Sequence, residues 1–274
     1  MTEAEQITVA SRSNLALAFV ALPKERRQDI SIFYAFCRVV DDIADGNGAL
    51  AEKSETLDRW RDAITGPVSE ESSLAEPVRE IMRKYAIPAD HFREIIAGVS
   101  MDIDGARYAT WEDLRLYCHR VASVVGLVSI RIFGTTDPRA ESYARNLGLA
   151  LQLTNILRDV GQDYANEKRI YLPADEMARF GVTVEDIAAN RRSEGFLAMM
   201  DFEAERAESL YSAAVLPKAD RKALGASEIM RAVYHRLLEK MQRDRWNVFD
   251  RRYRLSKPMK LWLVFRGIVQ ARLS

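Results

Sequence analysis

Excess charge, cysteine and histidine are what this 274-residue chain has least of. Lys and Arg number 40 and Asp and Glu number 40, so the formal net charge is zero. No global field then favours nucleic acid or an acidic membrane, and any charge-driven function must come from local clustering. The 2 cysteines, Cys37 and Cys118, are too few for a disulfide scaffold, and a reducing compartment is the simpler setting. The first residues, MTEAEQITVASRSN, begin acidic and lack a hydrophobic signal core. No apolar run reaches the roughly 20 residues of a membrane span. The expectation is a cytoplasmic protein. Alternating strand patterns, short-period repeats and linkers rich in Pro, Gly or Ser are also missing. So are a GxSxG elbow, a P-loop and a GxGxxG fingerprint, which removes the usual signatures of acyl transfer, nucleotide hydrolysis and Rossmann-type NADPH binding.

What is there is helix. Hydrophobic residues make up 48% of the chain, enough for a sizeable core. After Pro23, the apolar residues Ile30, Phe33, Tyr34, Cys37 and Val40 recur at spacings of three and four until Gly46. This predicts a helix over 24–44. Similar periodicity predicts helices over 50–64, 77–85, 89–103, 111–133, 139–164, 193–215, 221–247 and 257–273, with a loop near Pro173. Short loops between long helices predict an all-α fold in one domain spanning 1–274.

Two acidic stripes stand out. The first is RVVDDIAD at 38–45. Residues i and i+4 of a helix differ by about 40° of rotation and about 6 Å of rise, so Asp41 and Asp45 project from one face. Like charges there repel, and the macrodipole disfavours anions near a helix C-terminus. Taken alone, this is as readily a solvated acidic helix end. The second is QLTNILRDVGQD at 152–163. Asn155, Asp159 and Asp163 fall at i, i+4 and i+8, with Gln152 on a nearby face. Leu149, Leu151, Leu153, Ile156 and Leu157 surround them, and unpartnered carboxylates in apolar surroundings are very costly. Two such stripes facing each other across a cavity make an all-oxygen cation site. That donor set suits Mg²⁺, shared with substrate phosphates, or Mn²⁺ in its place. His91, His119 and His235 are scattered and complete neither a di-iron nor a zinc pattern.

Cations alternate with the acids: Arg38 before Asp41, Arg158 beside Asp159, and Arg169 in KRIYLP at 168–173. Each Arg either pairs with its neighbouring Asp or joins the metal in holding a diphosphate. A diphosphate so held is a good leaving group, and an allylic substrate would leave a carbocation that needs no protein nucleophile. Such a cation wants a dry, aromatic cavity, for which Phe19, Phe33, Tyr34, Phe36, Tyr117 and Tyr234 are candidates.

Three stretches together resemble the squalene/phytoene synthase family: LPKERR at 22–27 leading into FYAFCRVVDDIAD at 33–45, YCHRVASVVG at 117–126, and LQLTNILRDVGQD at 151–163 followed by RIYLP at 169–173. The likeness covers roughly residues 11–251. It implies a single-domain isoprenoid-synthase bundle with a central apolar cavity. It implies Mg²⁺ on Asp41, Asp45, Asp159 and Asp163 with Asn155 nearby, and diphosphate held or sensed by Arg38, Arg158, Arg169 and Tyr171. Ser11 and Ser13 match small hydroxyls that the family places near phosphate, whereas Asn14 and Leu15 depart from the aromatic usual there. The chemistry implied is head-to-head joining of two prenyl diphosphates. NADPH stays open, because squalene synthases of this fold bind it without a GxGxxG.

Residues 41–45 also fit the DDxxD of head-to-tail prenyl synthases, but those carry a second DDxxD where Arg158 stands here. A non-catalytic relative would be expected to lose acidic residues, and all four aspartates are present. Phe19, on a helix expected to line the cavity, suggests a floor closed to C20 chains. The expectation is therefore two farnesyl units and a C30 product, with two geranylgeranyl units giving phytoene as the alternative. Residues 251–266, basic and apolar, read either as a last helix packed on the core or as a peripheral membrane contact.

Overall fold

The computed structural model describes residues 18–66, 73–105 and 107–272. Ser11 and Ser13 lie outside the described residues. Among those described, 12 α-helices and no strand occur. In chain order they are α1 (Lys24–Asp45), α2 (Leu50–Ala63), α3 (Ala75–Lys84), α4 (Ala89–Ile103), α5 (Trp111–Cys118) and α6 (Val124–Phe133). Then come α7 (Arg139–Glu167), α8 (Ala174–Arg179), α9 (Val184–Ala188), α10 (Glu194–Ala213), α11 (Gly225–Arg243) and α12 (Lys257–Arg272). The expected all-α bundle is what forms. The loop expected near Pro173 contains α8 and α9, too short for a periodicity to register.

Local chemistry sets the ends. Pro23 caps α1, where its missing N–H costs nothing, and Gly46 follows the last turn. Thr110 and Asp113 form a reciprocal capping box on α5, and Ser193 caps α10 through the Phe196 N–H at 3.1 Å. Gly134, at φ +80°, closes α6 in the left-handed conformation that glycine adopts without strain.

The expected helix over 111–133 is one rod interrupted by a π-helical segment, His119–Ser123. By length and composition this rod could cross a bilayer, which corrects the expectation that no run is long enough. Its apolar character has another cause: it runs through the middle of the bundle, packed on α4 and α7. The π segment is gripped between two glycines. A Cβ on Gly98 of α4 would stand 2.7 Å from the side chains of Arg120 and Val121. A Cβ on Gly148 of α7 would stand 2.6 Å from the Ser123 Cα. The Ser123 hydroxyl also donates to the Arg145 carbonyl at 2.8 Å, tying the segment to α7.

α7 is the central element, touching α5, α6, α9, α10, α11 and the π segment. It buries Leu149, Leu153, Ile156, Leu157 and Val160, each large side chain contributing about 1.5–3 kcal/mol by leaving water. Against this framework α1 and α4 close the opposite wall, leaving a cavity between them and α7.

The approach at Gly148 is tight enough to test. Gly148→Ala gains helix propensity, but its methyl meets backbone that cannot rotate away. The clash should win, destabilising by about 1–3 kcal/mol. A thermal melt should show Tm lowered by several degrees, whereas an unchanged Tm would mean that α7 and the π segment are not in close contact.

Candidate active site

The cavity is walled by α1 through Tyr34, Arg38 and Asp41, by α4 through Val99 and Asp102, and by α7 through Gln152 and Asn155. Tyr117, Val121 and Val125 complete it from the rod. A second, more apolar lobe shares Phe19, Val121, Val125, Ser129, Gln152 and Asn155 with the first. It continues to Phe133, Tyr143, Leu147, Met230 and Tyr234. Phe19 is buried and meets Tyr34 edge-to-face at 6.2 Å between ring centroids. It stands on the wall common to both lobes. Phe19, expected at the floor, lines both lobes.

A third, polar cleft lies on the other side of Asp102. Asp45, Lys53, Asp102, Arg107, Arg169 and Tyr171 line it. Asp102 thus borders both the cavity and the cleft. Its carboxylate accepts from the Tyr117 hydroxyl at 2.9 Å and the Tyr171 hydroxyl at 2.8 Å. Tyr108, Tyr117 and Tyr171 stack around it with centroids 5.2–6.0 Å apart. Burial lifts the Asp102 carboxyl above its usual range in spite of Tyr171, Arg169 and Tyr117.

Of the two stripes, Asp41 and Asn155 reach the cavity and Asp45 reaches the polar cleft, whereas Asp159 and Asp163 line neither. Asp41 from α1 and Asn155 from α7 line one cavity. Burial, with Asp45 next to it, pushes Asp41 up to about 7. Burial, with Asp159 next to it, pushes Asp163 up to about 7 as well. Arginines offset part of this repulsion. Arg38 donates to Asp41 at 3.1 Å and also pairs with Asp42. Arg158, largely buried, grips Asp159 with two nitrogens, the Nε contact being 2.9 Å, and Tyr234 bonds the same guanidinium. Arg169 donates to Asp45 at 3.3 Å and pairs with Glu167 at 2.6 Å.

Local backbone explains how Arg169 gets there. α7 ends with Lys168 at φ +57°, a left-handed residue without the excuse of glycine. The Lys168 N–H bonds back to Tyr164 and the Arg169 N–H to Asp163, at 3.0 and 3.3 Å. This closing turn throws Arg169 back across to the end of α1.

The donor set has two features that a divalent cation would satisfy. Asn155 Oδ1 is buried with no hydrogen-bond partner, and Asp41 and Asp163 resist ionisation because of burial first and a neighbouring carboxylate second. Both are what a cation would relieve. Among the described residues, no three acidic, His or Cys side chains converge into a closed cage. The residues fit Mg²⁺ held partly by protein oxygens and partly by a phosphate-bearing ligand, rather than an all-protein site.

Sequence reasoning missed Asp102, Tyr108, Lys53, Arg107 and Arg252, the last lying 3.6 Å from Asp159. Asp102 had a signal: it continues the apolar stripe Ile95, Val99, so a carboxylate was bound for the interior. Cys37 and Cys118 are free, with burial raising both thiols, so neither is a reactive nucleophile.

A helical bundle enclosing an apolar cavity, with arginine-paired aspartates at its rim, has the isoprenoid-synthase fold. The squalene/phytoene synthase model matches residues 8–259, and the chain belongs to that family of prenyltransferase enzymes. It is 35% identical over 268 residues to a phytoene synthase of Mycobacterium tuberculosis, covering 93% of this chain and 88% of the relative. It is 34% identical to a phytoene synthase of Arthrospira platensis, covering 90% and 85%. A crystal structure of a dehydrosqualene synthase with a ligand superposes with a TM-score of 0.82 at 28% identity, over 99% of this chain and 96% of that one. A squalene synthase from Alicyclobacillus acidocaldarius gives 0.75 at 26% identity, over 89% and 93%.

Asp102 belongs to this site by geometry, which makes it separable from a packing residue. Asp102→Asn is expected to lower kcat/KM by about 10- to 100-fold, the usual effect of losing a residue that orients others. Tm should hold or rise, since a buried charge is removed. Full turnover by the variant would exclude Asp102 from the machinery.

Proposed function

We propose that this protein joins two geranylgeranyl diphosphates head to head to give phytoene. The observation that carries the reading is the two-lobed apolar cavity opening onto Arg38, Asp41, Asp102 and Asn155. The lobes suit two long allylic chains lying side by side, and the polar rim suits their diphosphates. The relatives named phytoene synthase support C20 units over the C15 units suggested by Phe19. The farnesyl reading is kept alive by one finding, the superposition on dehydrosqualene and squalene synthases at 28% and 26% identity.

In this reading Asp41, Asp45, Asn155, Asp159 and Asp163 would hold Mg²⁺, or Mn²⁺. When bound, the cation neutralises the diphosphate and stabilises the charge that grows as the C–O bond breaks. Arg38, Arg158 and Arg169 already lie beside these aspartates, so their guanidinium forks would pass from carboxylate to phosphate oxygen. Asp102 fixes the Tyr117 and Tyr171 rings near the bond that breaks. Phe19, Tyr34 and Tyr117 face the resulting allylic cation, exclude water and stabilise positive charge on their faces. Gln152 lies where the lobes meet, placing the C2=C3 bond of the second substrate against C1 of the first. The first substrate's diphosphate departs, C2=C3 attacks its C1, and loss of one C1 proton closes a cyclopropyl ring that keeps the second substrate's diphosphate. Its second ionisation, rearrangement and proton loss give phytoene without a hydride, so NADPH is not consumed. Ser11 and Ser13 are proposed to contact phosphate, and the protein is proposed to act in the cytoplasm.

The test is a side-by-side assay of purified protein with Mg²⁺ and either geranylgeranyl or farnesyl diphosphate, with and without NADPH, followed by identification of the lipid. Phytoene from the C20 substrate at the faster rate, unaffected by NADPH, is expected. Faster farnesyl turnover to a C30 hydrocarbon would overturn the chain-length assignment. Changing Asp41 and Asp159 together to Asn should cut diphosphate release by more than about 100-fold. Unimpaired release would overturn the site itself.

A further inference from the structure

Two tyrosines meet on Asp102, and they arrive on separate pieces of chain. Tyr117 comes at the end of α5, and Tyr171 comes on the strap 168–173 that leads into α8. Backbone ties the two pieces at one point. The Ala174 N–H donates to the Tyr108 carbonyl at 2.9 Å, and the Asp175 N–H to the Ala109 carbonyl at 3.1 Å. α8 itself has 6 residues, too few to hold its place without tertiary partners.

Arg206 of α10 reaches both pieces. Its two terminal nitrogens donate to the two oxygens of Glu176 on α8, the Nη1 contact being 3.0 Å, and Nη1 also donates to Glu203 at 2.6 Å. Its guanidinium lies 4.3 Å from the centre of the Trp111 ring at the start of α5, and 4.9 Å from that of Phe202. Arg179 of α8 stands over the same Phe202 at 4.9 Å and over Phe180 at 5.2 Å. Trp111, Arg206, Phe202, Arg179 and Phe180 therefore form one alternating ladder of rings and guanidiniums across α5, α10 and the end of α8. A two-pronged fork combined with a flat stack is a geometry that a guanidinium makes and an ammonium does not. None of these side chains lines the cavity or the polar cleft.

The acid beneath the ladder sets its charge. Glu203 is fully buried, and its Oε1 accepts no hydrogen bond. Burial, and then its hydrogen bond with Glu176, raise the Glu203 carboxyl well above the usual range. Burial also opposes ionisation of Glu176, but the bonds from Arg206 and Glu203 outweigh it and lower that carboxyl. One proton therefore stays on Glu203, and the pair presents a single negative charge to the fork. Around the pair stand Arg179 of α8, Arg206 and the Cys118 thiol of α5. α7 and α11 meet α10 further along, through Asn146 and Thr154 and through Arg231 and His235. Loss of the proton as pH rises adds a second charge and divides the fork between two carboxylates.

We infer that Arg206 is a positioning residue: by clamping α8 and Trp111 to α10 it sets the spacing between α5 and the strap, and so keeps both tyrosine hydroxyls on Asp102. The effect on rate rests on the proposed reaction; the effect on geometry does not.

The experiment compares the full-length protein with its Arg206→Lys, Arg206→Met and Glu203→Gln variants, by amide hydrogen exchange and by turnover of geranylgeranyl diphosphate with Mg²⁺. Arg206→Lys keeps the charge and loses the fork. Both Arg206 variants should exchange the Ala174 and Asp175 amides at least about tenfold faster. Their kcat should fall at least about tenfold with KM held within about threefold, because the residues proposed to hold diphosphate are untouched. Glu203→Gln, which keeps the uncharged form at every pH, should match the unaltered protein near neutrality. Between about pH 7 and about pH 9 the kcat of the unaltered protein should drop at least about threefold relative to Glu203→Gln, as Glu203 ionises. The same two amides should lose protection beyond the intrinsic rise of exchange with pH. Full kcat in a folded Arg206→Lys protein, or unchanged exchange at both amides, would overturn the inference. So would parallel pH profiles of the unaltered protein and Glu203→Gln, a readout that stands even where the Arg206 variants do not fold. Absence of prenyl turnover in the unaltered protein would sink the proposed reaction instead, while amide exchange still reads the clamp.

Discussion

Carboxylates crowded at the rim of one cavity govern this molecule. Asp41 and Asp45 come from one helix, Asp102 from a second, and Asp159 and Asp163 from a third. Burial and mutual repulsion raise Asp41, Asp102 and Asp163 above the usual carboxylate range. Arg38, Arg158 and Arg169 offset part of that cost, each bound to an aspartate it can also release. Such an arrangement contributes little stability by itself: exposed pairs such as Arg38–Asp41 are worth about 0–1 kcal/mol, and a largely buried one such as Arg158–Asp159 seldom outdoes apolar packing. Its persistence is explained by what it can bind: a polyanion brought in together with a cation.

The rest of the fold supplies rigidity for that crowd. α7 has to be apolar enough to form the centre of a bundle and polar enough on one stripe to present Gln152, Asn155, Asp159 and Asp163. Its length, 29 residues, lets one rod do both. Gly98 and Gly148 bring two helices onto the π segment, and that segment aims Tyr117 at Asp102 and Val121 into the cavity. Among the described residues Ala86, Lys168, Asn190, Arg245 and Trp246 are left-handed without being glycine, and what the turn at Lys168 achieves is the return of Arg169 to Asp45. A buried trio of Glu176, Arg206 and Glu203 ties α8 to α10 well away from the chemistry.

Much of this was legible in the residues. Long periodic segments gave the helices nearly to their ends, because burial of one face is written directly into spacing. The acidic stripes were legible because i, i+4 geometry is fixed by the helix itself. Three things were not. The π segment changes the hydrogen-bond register without changing the apolar pattern. Asp102 has no carboxylate three or four residues away on its helix, so no spacing marks it, and only its place on an apolar face betrays it. The second lobe behind Phe19 is assembled from α6, α7 and α11, which no local pattern contains.

The central claim is that the two acidic stripes and the arginines between them take up a diphosphate only together with a divalent cation. Calorimetric titration of the protein with inorganic pyrophosphate, with and without Mg²⁺, tests it without reference to any prenyl chain. The account predicts saturable binding in Mg²⁺ that weakens by at least tenfold when the metal is chelated, and likewise in an Asp163→Asn variant. Equal pyrophosphate affinity with and without the metal would contradict it.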